Sequence, residues 1–97
     1  MADYVVLCKF TAEGAKNITQ STARLHAHME QAQPQGIKVV AEYLLFGHYD
    51  WIFLLEAPDD ETIALAVLKL VAAGIITSET VRAFDPNQSQ QLLDRLG

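Results

Sequence analysis

A chain of 97 residues, 51% hydrophobic and 20% charged, has room for one core and leaves more apolar surface than a monomer of this size covers easily. Its net charge of −5 argues against nucleic acid and anionic membranes, which reward patches of Lys and Arg. A lone cysteine, Cys8, excludes an internal disulfide and suits a reducing cytoplasm.

Residues 1–97 read as one domain, with 85–97 as a short C-terminal helical tail. The N-terminal Met-Ala-Asp-Tyr lacks the basic start and apolar run of a secretory signal. The greasiest stretch, 63–76, is broken by Lys69 and Gly74 and falls short of the roughly 20 residues that span a bilayer. A cytoplasmic protein is expected.

Tyr4 to Phe10 is β-branched and aromatic, with apolar residues on both parities, which predicts a central strand covered on both sides. Thr11, Glu13 and Gly14 turn into a helix whose inward stripe is predicted as Ile18, Thr22, Leu25, Met29 and Ala32. Pro34 and Gly36 end it. Residues 37–46 form a second strand and Trp51 to Glu56 a third, joined as a hairpin by Gly47-His48-Tyr49-Asp50. Asp59, Asp60 and Glu61 supply an N-cap and first-turn carboxylates for a helix continued by Ile63, Ala66, Val67 and Leu70 and stopped by Gly74. Ile75 to Phe84 is a fourth strand, polar enough for a sheet edge or an interface. Asp85-Pro86-Asn87 opens the tail helix, with Leu92, Leu93 and Leu96 on one side.

The order βαββαβ predicts an α+β, ferredoxin-like sandwich in which both helices cover one sheet face. The apolar residues of the opposite parity then need a partner, so a homodimer of the dimeric α/β-barrel type is expected. An RNA-recognition module shares this order of elements. Its third strand, however, carries a basic and Gly-aromatic pattern that Trp51 to Glu56 lacks.

The hairpin link resembles the Gly-(x)-Tyr-Asp signature of the GYD-domain family of small bacterial proteins. Tyr4-Val5-Val6-Leu7 through Phe10-Thr11, then Gly14, Asn17-Ile18 and Arg24, are similar to that family's first strand and helix start. Glu56-Ala57-Pro58-Asp59-Asp60-Glu61 resembles its third strand and acidic helix cap, and Thr77, Glu79-Thr80 and Arg82-Ala83-Phe84 its last strand. The resemblance implies a ferredoxin-like fold and dimerisation, with no assigned reaction. Trp51 departs from the smaller residue common after the Asp, which bears on the size of any nearby cavity.

His48, Tyr49, Asp50, Trp51 and His26 are the candidate binding residues. In an extended link His48 and Asp50 point one way and could share a proton, with Tyr49 offering a hydroxyl on the other side. A tight turn explains the same signature without chemistry: Gly47 tolerates positive φ, Asp50 accepts backbone N–H bonds and Tyr49 buries its ring. His26 flanks Leu25 and Met29 and could line a cleft between helix and sheet. His26 and His28 lie on different helical faces, so a metal site is not expected and both read as solvated. Cys8 reads as a buried hydrophobe, and Lys9 as the partner of a carboxylate such as Glu79. Phe46, Trp51 and Phe53 read as core or interface aromatics.

Nothing in the sequence calls for a cofactor. The leading expectation is a homodimer that binds a small, largely apolar molecule or a partner protein. The rival is an enzyme resembling the cofactor-independent oxygenases and isomerases among dimeric α/β barrels, with His48, Tyr49 and Asp50 handling protons around a shared cavity.

Overall fold

A computed structural model describes all residues from Met1 to Gly97. Four strands, β1 (Ala2–Phe10), β2 (Lys38–Leu44), β3 (Trp51–Ala57) and β4 (Ile76–Ala83), form one antiparallel sheet in the order β2-β3-β1-β4. Helices α1 (Ala12–Lys16), α2 (Ile18–Gln31), α3 (Asp60–Ala72) and α4 (Pro86–Asp94) complete the α+β fold. None is long and apolar enough to cross a membrane.

Strand parity decides which residues meet the helices. Tyr4, Val6 and Cys8 of β1 and Phe53, Leu55 and Ala57 of β3 alternate inward and are buried beneath α2 and α3. Leu25 and Met29 from α2 and Ile63, Ala66, Val67 and Leu70 from α3 close the core over them. The fully buried Phe53, Leu25, Met29, Ile37 and Leu55 each stabilise the fold by roughly 1.5–3 kcal/mol through removal from water.

The first helix departs from the sequence expectation. Asn17, at φ −130° and ψ 63°, interrupts it and divides it into α1 and α2. Ile18, the first residue of α2, is left outside the core at 49% exposure. Ser21 takes the inward place, with its hydroxyl donating to the Gly14 carbonyl at 2.7 Å.

The opposite sheet face carries no helix. The pairing places Val5, Leu7 and Lys9 of β1 beside Ile52 and Leu54 of β3, Ala41 and Tyr43 of β2, and Thr77, Glu79 and Val81 of β4. Most of these are apolar, yet none is buried by the chain itself. Edge strand β2 has a bulge between Val39 and Ala41, leaving Val40 exposed. The Cα radius of gyration, 14.5 Å, exceeds the roughly 12.5 Å expected of a compact chain of this length.

Candidate functional site

The Gly47-His48-Tyr49-Asp50 link is held by its backbone and by one carboxylate. The Asp50 amide donates to the Cys8 carbonyl at 2.8 Å, and the Leu45 amide donates to the Asp50 carbonyl at 2.8 Å. The Asp50 carboxylate accepts from the Phe10 amide, with Oδ2 at 2.8 Å, where β1 leaves the sheet. Asp50 thus ties the turn to the last residue of the central strand. Asp50→Ala would strip a partly buried amide of its acceptor and is expected to destabilise the fold by about 1–2 kcal/mol. Chemical denaturation checks this, with Asp50→Asn expected to recover part of the loss because its carbonyl oxygen still accepts.

His48 and Tyr49 lie on the helix-free side of this anchor. The Tyr49 hydroxyl donates to Glu79 Oε2 at 2.5 Å, and the carboxylate beside it raises the phenol pKa above its ordinary 10. The imidazole meets the Tyr49 ring edge-on at 4.8 Å between centroids. The His48 carbonyl accepts from Lys9 Nζ at 3.0 Å. Lys9 therefore ends on a backbone carbonyl, whereas an ion pair with Glu79 was expected. Glu79 is taken up by Tyr49, whose hydroxyl reaches it from the hairpin.

Trp51 and His26 belong to the opposite face. Trp51 follows the inward parity of Phe53, which it meets at 6.4 Å, and its indole N–H has no hydrogen-bond partner. His26, on α2, reaches β2: Nδ1 lies 2.6 Å from Glu42 Oε2 and Nε2 3.2 Å from Glu30 Oε1. The hydrogen bond to Glu42, ahead of the charge of Glu30, raises the imidazole pKa above its ordinary 6.5. A raised folded-state pKa contributes stability in full below the unfolded value and loses it as pH rises through the folded one. Thermal stability of the native protein should accordingly fall as pH climbs from about 6.5 through the folded His26 pKa. His26→Gln should flatten that slope in a melting series.

The five residues are thus divided by the sheet and do not meet in one cavity. His28, expected to be solvated, instead lies half-buried between helices with Nε2 2.9 Å from the Ala66 carbonyl. Cys8 is buried as expected, and desolvation pushes its thiol up to about 12.

Two clefts open elsewhere. One of about 310 Å³ lies between α2 and α3, walled by His28, Ile37, Leu65 and Lys69. The other, about 490 Å³, lies between α3 and β4, with Ile63, Val67 and Leu68 facing Ser78, Thr80 and Arg82. At its floor the Tyr4 hydroxyl donates to Asp60 Oδ1, and the Arg82 guanidinium stands 5.6 Å from the Tyr4 ring centroid. Burial first, then the Asp60 carboxylate, lift the Tyr4 pKa to about 12. This cleft has no contiguous motif in the sequence. The signal was present in the inward parity of Tyr4 and in the polar residues of the last strand, but their pairing, Tyr4 opposite Arg82, depends on a register that no local motif marks.

Residues 4–93 match the GYD domain. The chain belongs to the GYD-domain family. Among curated proteins, it is 32% identical over 84 residues to the glutamine synthetase and cystathionine beta-lyase binding protein of Thermus thermophilus, covering 86% of this chain and 88% of that one. Solved structures share the fold of this GYD-domain chain at lower identity. TTHA0845, also from Thermus thermophilus, aligns with a TM-score of 0.56 and 22% identity, covering 87% of this chain and 94% of its own. FFRP-DM1 aligns at 0.57 and 19%, covering 87% and 100%. MtbAldR aligns at 0.61 and 15% over 86% of this chain, and this GYD-domain chain spans about half of its length, 51%. The ferredoxin-like arrangement is common to them.

Proposed function

We propose that this GYD-domain protein is a non-catalytic binding module that works as a cytoplasmic homodimer and docks on a metabolic enzyme. The helix-free sheet face carries the reading. Val5, Leu7, Ile52 and Leu54 form its centre across two adjacent strands, flanked by Tyr43 and Val81, and an apolar surface of this kind is an interface rather than a solvated wall. A second copy laid face to face supplies a matching apolar surface in the manner of a dimeric α/β barrel.

His48 and Tyr49 stand at one end of this face, where a covering molecule meets them, and Asp50 fixes the turn that presents them. Trp51 and His26 support the same region from beneath the sheet. A small, largely apolar ligand fits better in the cleft between α3 and β4, whose lining mixes Ile63, Val67 and Leu68 with the hydroxyls of Ser78 and Thr80.

The kind of protein partner follows from the Thermus relative, named for binding glutamine synthetase and cystathionine beta-lyase, to which this chain aligns over most of both lengths. Sedimentation velocity at micromolar concentration, followed by biolayer interferometry against these two enzymes from the same organism, tests the proposal. A dimer that binds either enzyme is the expected result. A monomer with the sheet face hydrated overturns the dimer, and a dimer that binds neither at tens of micromolar overturns the choice of partner.

A further inference from the structure

Helix α4 stands away from the body of the chain. It is correctly started: Asp85 accepts from the Gln88 amide at 2.7 Å, the Gln88 side chain accepts in return from the Asp85 amide at 3.2 Å, and Pro86 occupies the first turn. Its apolar stripe is nonetheless bare. Leu92 and Leu93 lie in its last turn and Leu96 two residues past its end at Asp94, and they are 42%, 58% and 82% exposed; Phe84 at its root is 48% exposed.

A helix of nine residues is too short to hold together in water by its own hydrogen bonds, and a capping box adds only about 1 kcal/mol. The stripe therefore needs a surface, and the chain's own core is already closed by α2 and α3. The area required by a stable dimer points to the same answer. Four strands of seven to nine residues offer a face of about 19 by 25 Å, on the order of 500 Å². Stable interfaces use about 800 Å² per partner. A nine-residue helix with its leucine stripe adds a strip about 13 Å long and 10 Å wide, together with Phe84, on each side of the two-fold.

We propose that α4 is an arm that closes over a second copy of this chain, packing Leu92, Leu93 and Leu96 against that copy at the margin of the paired sheets. This rests on the homodimer reading above. Each arm faces the other copy, so one contact occurs twice and the pair is closed.

Sedimentation equilibrium of the full chain and of the double variant Leu93→Glu, Leu96→Glu tests the arm, with a benzophenone photocrosslinker at position 93 as a second measurement. Both positions are exposed, so the variant should keep the circular dichroism of the sheet and core. The expected result is a wild-type dimer, at least tenfold weaker association for the double variant, and covalent dimers after irradiation. A wild-type monomer overturns the homodimer reading and the arm with it. A wild-type dimer matched in affinity by the double variant overturns the arm alone, as do crosslinks confined to single chains. A double variant that dimerises normally but loses enzyme binding assigns α4 to the other protein and likewise overturns the arm.

Discussion

Leu7→Glu is expected to yield a folded monomer. Leu7 lies at the middle of β1 on the helix-free face, opposite Ile52 on one neighbour and Glu79 on the other. In an isolated chain the new carboxylate points into water, and the core beneath β1, formed by Val6 and Cys8, is untouched. In the proposed dimer the same carboxylate is covered by the second sheet, beside an existing acidic residue and without a cation assigned to it. An unpaired buried charge of this kind costs about 3–5 kcal/mol. At about 1.4 kcal/mol per tenfold, the dissociation constant should rise by more than a hundredfold. Leu7→Ala should weaken association far less, because it removes contacts without burying a charge. Sedimentation velocity with circular dichroism separates the outcomes, and an unchanged Leu7→Glu dimer would show that Leu7 lies outside the interface.

Gly14→Ala should lower stability by about 3 kcal/mol despite adding a single methyl group. A Cβ at Gly14 would stand 2.1 Å from the carbonyl oxygen of Ile75 and 2.9 Å from its carbon. The obstacle is main chain, which cannot swing aside as a side chain would, so α1 and the start of β4 must separate. Three hydrogen bonds cross or brace that contact: the Thr11 amide to the Ile75 carbonyl at 3.0 Å, the Thr11 hydroxyl to the Gly74 carbonyl at 2.7 Å, and the Ser21 hydroxyl to the Gly14 carbonyl at 2.7 Å. Weakening the three together by about 1 kcal/mol, with about 2 kcal/mol of overpacking, accounts for a loss of this size. For a domain of this size that corresponds to a melting temperature lower by roughly 12–24 °C, readable by calorimetry. A loss under about 5 °C would mean that α1 moves freely against β4.

The fold was legible wherever periodicity and burial agreed. Tyr4, Val6 and Cys8 alternate inward as read, and Ile63, Ala66, Val67 and Leu70 line the buried side of α3. Asp59 caps α3 as read, accepting from the Thr62 amide at 2.8 Å, and the Thr62 hydroxyl and amide together lower its pKa below the usual carboxylate value. Ile18, Thr22 and Leu25 keep helical spacing within α2, but Ile18 is its first residue and lies exposed beyond the buried Ser21. A backbone break carries no hydrophobic mark, and Ser21 enters the interior through a hydrogen bond that composition does not announce.

The candidate site was less legible because its residues bond to partners far along the chain. Asp50 finds the Phe10 amide and Tyr49 finds Glu79, 40 and 30 residues away. The turn signature marked the place correctly as a tight link, but which side of the sheet each side chain takes follows from β1 lying between β3 and β4. Lys9 shows the same dependence. Its parity was right and its partner wrong, since the His48 carbonyl comes within reach only once the hairpin closes.

The bulge at Val40 bears on how this protein avoids uncontrolled growth. A smooth outer strand would invite a stranger's backbone to extend the ladder indefinitely, as fibrils do. One surplus residue between Val39 and Ala41 twists that rim and spoils its spacing, so recruitment along the strand is discouraged while stacking through the flat of the sheet stays open. Deleting Val40 would keep every other side chain on its present side and yet offer newcomers an unbroken seam.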